Sequence, residues 1–462
     1  MYTNSSLREH SKANVVYYYD NDIAGFEYGN THDMKPYRIQ LAHNAILATG
    51  LFDKLEIRRP HRASFKTMTS FHDEDYIRFL DDVNPSNISS YRGHDRYDVT
   101  VGGDCPVFDG LYDFCSISCG GSLNSAVVLN TGQADIAINW MGGLHHAKKS
   151  KASGFCYTND IVIAILELLK LHDRVLYVDI DVHHGDGVEE AFLTTDRVMT
   201  VSFHHYTGTY FPGTGNSNKV GIGEGKLYSV NVPLKQGITD DQYGSIYKTV
   251  MAKVMERYDP SVIVLQCGAD SLNGDYLGVF NLSVKGHGEC VDFLRSYNKP
   301  LMLLGGGGYT PTIVARCWTN ETAIAVGVDL PAELPYDILD DHLHADNIDN
   351  SFNYEIKKFY RNYNNDKKLG ELQTKVLNNL NKLPHVPSVQ MQPMPDNNYE
   401  ELAEMRNAMR EEADPDVTLP TILTDQITHH DSDFYDSERA GDDRRNESNA
   451  KRANRRSKRL TK

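Results

Sequence analysis

Residues 174–187 read RVLYVDIDVHHGDG, and this stretch constrains the fold most because it sets acids and imidazoles into the pattern of a buried strand. Val175, Leu176, Tyr177, Val178, Ile180 and Val182 make the apolar run of a strand covered on both faces, as in a parallel sheet. Asp179, Asp181 and His183 interrupt it. Strand side chains alternate, so these three leave on one side if the strand persists that far. Buried carboxylates are costly unless paired or bound to a cation. Two readings follow: an ion-pair network closing the strand, or a metal site.

The surrounding pattern is regular. Apolar runs at 15–19, 55–58, 136–140, 175–182, 198–203, 227–232, 262–266 and 301–304 read as strands. Between them lie helical patterns at 161–170, 188–195, 243–255, 285–297 and 312–326, and near the start a helix with Pro36 at its head and Gly50 at its end. Strands alternating with helices build parallel units, so the expected fold is α/β, one large domain with a mainly parallel central sheet and helices on both faces. A helix near 354–380 closes this body, which spans 13–394. Residues 395–462 are expected to be a disordered tail. From 400 to 443 fourteen acids face three arginines, a composition that cannot bury a core. The closing KRANRRSKRLTK carries seven basic residues in twelve, the pattern of a nuclear-localisation signal or of a merely solvated basic end.

The seven cysteines are odd in number and lack a C-x-x-C pair, which reads as reduced thiols rather than a disulfide framework. The longest apolar run is broken by Glu167, so neither secretion nor membrane spanning is expected. A net charge of -16 argues against direct nucleic-acid binding by the body.

Chemistry-bearing residues recur at strand ends, where open parallel sheets bind ligands. His145 and His146 follow one strand, Asp181 and His183 another, Asp270 a third, and Tyr309 follows Gly305 to Gly308 after a fourth. Asp181, His183 and Asp270 suit a catalytic zinc, and such N and O donors do not exclude another divalent ion, iron in particular. An imidazole of the His145/His146 pair would be general base and acid, oriented by Asp179 and Asp186, and Tyr309 would donate to a developing oxyanion. Such a set suits amide hydrolysis. The glycine run lacks the spacing of a dinucleotide loop. Phe155, Phe211 and Leu277 are by default core, or else walls of a substrate channel.

GGLHHAKKSKASGFCYTND, DIDVHHGDGVEEAF, FPGTG, QCGADSLNGD and GGGGYT, in that order, resemble the class I histone deacetylases over about residues 15–393. The resemblance implies an arginase-like fold and zinc-dependent removal of acetyl groups from lysine side chains of histones and other nuclear proteins, within corepressor complexes. It implies Asp181, His183 and Asp270 as zinc ligands, His145 and His146 as acid/base residues with Asp179 and Asp186, and Tyr309 as the carbonyl-polarising phenol. Gly154, Phe155, Phe211 and Leu277 would line the acetyl-lysine tunnel, and Asp104 would hold the substrate backbone. Arg38 and Cys156 would belong to an internal pocket. A structural monovalent cation, potassium or sodium, would sit around Asp179, Asp181, His183, Ser202 and Phe203.

The chain departs from the family at Tyr37, Gly103 and residues 207–209, and, with more consequence, at Tyr276 and Thr312. There the family has arginines that, with Lys35, hold an inositol phosphate against a corepressor, so the basic pocket is depleted. Other classes of function are a corepressor scaffold and a small-amide or polyamine deacetylase. No acidic gate for a polyamine is assignable.

Overall fold

A computed structural model describes residues 13–91, 94–334, 351–352, 354 and 359–384. The described residues fall within one compact unit, Met1–Ser388. The expected boundary at 394, the acidic tail and the basic end lie outside the described residues.

Eight strands form one sheet, parallel throughout: β1 Val15–Tyr18, β2 Glu56–Arg58, β3 Ile136–Asn139, β4 Val175–Asp179, β5 Val198–His205, β6 Ser229–Leu234, β7 Val262–Gln266 and β8 Leu301–Leu304. Their order is β2-β1-β3-β8-β7-β4-β5-β6. The register levels the carboxyl ends of the central strands. Asn139 pairs with Leu304, Leu304 with Gln266, Gln266 with Asp179, Asp179 with Ser202 and Ser202 with Asn231. A largely polar row therefore closes a Val/Ile/Leu-rich sheet buried on both faces.

Helices flank the sheet in two sets of neighbours. One contains α1 Tyr37–Ala48, α7 Asp240–Tyr258, α8 Val284–Arg295, α9 Pro311–Val326 and α10 Asp366–Leu380. The other contains α3 Glu74–Asp82, α4 Leu111–Asn130, α5 Asp160–Leu168 and α6 Asp186–Phe192, and a short α2 spans Phe65–Met68. Pro36 stands at the head of α1 and Gly50, at φ 75°, follows its end, as the sequence pattern predicts. The closing helix starts later than 354. Asn365 caps α10 by accepting from Lys367 N, and the described helix begins at Asp366.

The longest described helix, α4, has no counterpart among the sequence expectations. It is buried around most of its circumference, so it shows no amphipathic period. Its Gly120–Gly121 pair, discouraging for a helix in isolation, is what lets it lie close. A Cβ at Gly120 would stand 2.0 Å from the His61 carbonyl, and one at Gly121 2.6 Å from the Asn139 side chain.

Candidate active site

The four adjacent central strands β3, β8, β7 and β4 each release a loop at the carboxyl end, and these loops carry the candidate residues. After β4 the sequence expectation needs correcting. The strand stops at Asp179 rather than 182, so Asp181 and His183 are not placed by strand alternation. Carboxylates take the backbone donors that a neighbouring strand would have taken. Asp179 Oδ1 accepts from Asp181 N (3.2 Å), Asp181 Oδ1 from His183 N (2.9 Å) and Asp270 Oδ1 from Val182 N (2.9 Å).

Asp181, His183 and Asp270 nevertheless converge, all buried, with donor atoms within 4.8 Å of one another. His183 Nδ1 lies 3.0 Å from Asp181 Oδ1 and 3.0 Å from Asp270 Oδ2. Burial alone would lower the pKa of His183, but the two carboxylates outweigh it and hold the imidazole proton up to about 10. Burial, reinforced by the Asp181 charge, pushes Asp270 up to about 7. Two carboxylates thus share one positive partner in a dry site, and a divalent cation would replace that proton and satisfy the same charges. The backbone presses close to both carboxylates: a Cβ at Gly307 would stand 2.0 Å from Asp270 Oδ2, and one at Gly268 2.0 Å from Asp181 Oδ2. The donor set fits a divalent cation.

Two imidazole–carboxylate pairs stand beside it. His145 Nδ1 donates to Asp179 Oδ2 at 2.7 Å, an oxygen that also accepts from Tyr177 Oη at 2.6 Å. His146 Nδ1 donates to Asp186 Oδ1 at 2.8 Å, and Lys148 Nζ holds the other oxygen at 2.7 Å. The rings lie 3.9 Å apart. Burial opposes a charge on both, yet Asp179 and Asp181 raise His145 to about 9. Burial and the charge on His145 drive His146 down to about 3 against the pull of Asp186. The carboxylates thus favour a charge on His145, while burial next to that charge disfavours one on His146.

Above them Phe211 meets His146 edge-on at 4.8 Å, and Phe155 meets Tyr309 edge-on at 5.6 Å. Gly154, at φ 50°, passes between: a Cβ there would stand 2.6 Å from His146 and 2.7 Å from Phe211. Leu277 is half-buried, and its carbonyl accepts from Tyr210 Oη at 3.0 Å. Asp104 lies on an exposed loop, as expected, and its carbonyl is 3.2 Å from His32 Nε2. Arg38 is buried, donates to the carbonyls of Gly306 (2.6 Å) and Gly308, and packs over Trp318. Cys156 is buried, its thiol 3.4 Å from the Gly154 carbonyl. Ser202 faces Asp179 across β4 and β5, its hydroxyl 2.9 Å from His204 Nδ1, and Phe203 is buried beside it.

A histone deacetylase domain matches residues 32–325. Human histone deacetylase 1 is 52% identical over 447 residues, 96% of this chain and 90% of that protein. The chain belongs to the class I histone deacetylase family. A probable histone deacetylase 1-B of Xenopus laevis is 51% identical over 452 residues, 97% of this chain and 92% of that protein. A Drosophila melanogaster histone deacetylase is 50% identical over 457 residues, 99% and 86% respectively. The histone deacetylase family is zinc-dependent, in keeping with the Asp–His–Asp cluster.

Sequence reasoning missed the deacetylase's supporting residues. Gln266 Nε2 donates to Asp181 Oδ2 at 2.9 Å. Asp160, buried, accepts from Gly143 N (2.9 Å), Leu144 N (2.8 Å) and Ser122 Oγ (2.5 Å), fixing the approach to His145. A second buried cluster, His287, Cys317 and Glu321, lies behind β7, where His287 Nε2 donates to the Gly268 carbonyl at 3.1 Å. The available signal was a polar residue closing an apolar run, as Gln266 does, but partners distant in sequence are not visible there. No described helix is long and apolar enough to cross a membrane.

Proposed function

We propose that this chain hydrolyses the acetyl-amide bond of acetylated lysine side chains on histones, with zinc held by Asp181, His183 and Asp270. The observation that carries the reading is the meeting of the Asp–His–Asp cluster, two imidazole–carboxylate pairs and Tyr309 beneath the gap between Phe155 and Phe211. Acetyl-lysine has an apolar stem and a polar end, so two aromatic faces grip the methylenes while the carbonyl reaches the floor. Zinc, when bound, polarises that carbonyl and acidifies water. His146 takes the proton of the attacking water, Asp186 and Lys148 holding its ring in place. His145, charged beside Asp179, stabilises the negative charge that grows on the former carbonyl, and Tyr309 donates its phenolic hydrogen to the same oxygen. The proton then passes to the lysine nitrogen as the C–N bond breaks, giving acetate and an ammonium. On a histone tail the restored charge strengthens phosphate contact.

Asp104 grips the substrate backbone at the rim, and Arg38 and Cys156 line the exit side of the floor. A potassium or sodium ion around Asp179, Asp181, His183, Ser202 and Phe203 belongs to the same reading, supported by the pairing of Ser202 with Asp179. The catalytic domain spans 13–394 and the tail 395–462. The basic end directs the enzyme to the nucleus, where it is the catalytic subunit of a corepressor complex. The test is release of acetate from an acetylated histone peptide by the purified chain, with chelator and then with zinc restored. Hydrolysis indifferent to chelation, or none with zinc present, refutes the reading. Deleting residues 451–462 should abolish nuclear accumulation of a fluorescent fusion.

A further inference from the structure

Asp275 has no part in the reading above, yet it is buried at the junction of the two loops that carry Leu277 and Tyr309. Its carboxylate accepts four backbone N–H groups. Oδ1 takes Leu277 N at 3.0 Å and Gly278 N at 3.1 Å; Oδ2 takes Tyr309 N at 2.6 Å and Thr310 N at 3.1 Å. Thr310 Oγ1 adds a bond to the Gly274 carbonyl at 3.1 Å. The glycines before Tyr309 cannot fix its position, because Gly306 and Gly308 sit at φ 139° and 126°, a region open to glycine and little restrained by it.

We propose that Asp275 is a positioning residue for deacetylation, stapling the Tyr309 loop to the tunnel-wall loop so that the phenol stands at a fixed place over the floor. This rests on the reading of Tyr309 as the hydrogen-bond donor to the reacting carbonyl. The chemistry requires a carboxylate. Two oxygens offer enough lone pairs for four N–H groups, whereas an asparagine has one acceptor oxygen and turns an NH2 toward two donors. An oxyanion donor stabilises the transition state only when pre-aimed, so loosening it lowers turnover more than substrate binding.

The experiment is a double-mutant cycle on the zinc-loaded full chain with an acetylated histone peptide, joining Asp275→Asn and Tyr309→Phe. Asp275→Asn alone should lower kcat about tenfold or more, leave KM within about threefold, and keep zinc at one per chain. In the Tyr309→Phe background the same change should lower kcat less than about twofold, because the donor it positions is already gone. Fluorotyrosine at 309 gives a second readout: its 19F resonance should shift or broaden in Asp275→Asn and respond to no change in zinc content. If Asp275→Asn does not fold, Asp275→Glu retains the charge at the wrong reach and is put through the same cycle. Multiplicative losses in the cycle, an unchanged kcat, or loss of zinc would each overturn the assignment of Asp275. Full turnover in Tyr309→Phe alone would instead remove the reading of Tyr309, and the proposal with it.

Discussion

Gly154→Ala tests whether the gap between Phe211 and His146 is the path of the substrate. The added methyl would stand 2.6 Å from His146 Cδ2 and 2.7 Å from the Phe211 ring. Ordinary carbon contacts lie at about 3.5–4.0 Å, so the rings must give way by roughly 1 Å. A displacement of about 1 Å at a reacting group costs on the order of a hundredfold in rate. The φ of 50° adds strain of roughly 1–2 kcal/mol for any L side chain. The control is Gly132→Ala, at φ 63° with open space around the new Cβ, which introduces similar strain remote from the site. Gly132→Ala should lose roughly 1–2 kcal/mol in denaturant titrations and Gly154→Ala more, because its methyl also overpacks two rings, but only Gly154→Ala should lose about two orders of magnitude in kcat/KM with its zinc retained. Activity of Gly154→Ala within threefold of the parent, or an equal loss in Gly132→Ala, refutes the assignment of this gap.

Asp181→Ala and Asp270→Ala should each lose metal and activity together, since a three-ligand site cannot spare a carboxylate; one zinc per chain in either variant, by metal analysis, would show the ligand set to be wrong. A pH effect is expected from His72, buried with Nδ1 donating to the Lys149 carbonyl (3.1 Å) and Nε2 accepting from Asn159 N (2.9 Å). Burial lowers its pKa to about 4, whereas an unfolded histidine takes its proton near 6.5, so the unfolded state binds more protons between those values. Stability should therefore fall by roughly 2 kcal/mol from pH 7 to pH 5 on account of this residue. His72→Gln should remove that share of the slope in denaturation curves at the two pH values, and an unchanged slope excludes it. Inositol tetrakisphosphate should bind the isolated chain weakly. Tyr276 is exposed but uncharged, Thr312 is buried at the start of α9, and Lys35 Nζ is engaged by the carbonyls of Gly29 and Asn30. Saturable micromolar or tighter binding by calorimetry would contradict this.

Much of the molecule is legible in the chain because its signals are local. The strands at 262–266 and 301–304 are bounded as the apolar runs are, since a central parallel strand must be apolar on both faces. Asp179, Asp181, His183, Asp270 and the His145–His146 pair stand out for the converse reason, as ionisable groups where burial would otherwise forbid them. Tertiary structure decided what depends on partners far along the chain. It ended β4 at Asp179, because Asp270, 88 residues beyond Val182, takes a donor that a longer strand would have used. It made a helix of Leu111–Asn130, whose glycines matter only against Asn139 and His61. It also gave Asp275 its four donors, two from its own loop and two from Tyr309 and Thr310, 34 and 35 residues away. Sequence alone marks which residues need a partner in a dry interior; the packing of one loop against another determines which partner each one meets.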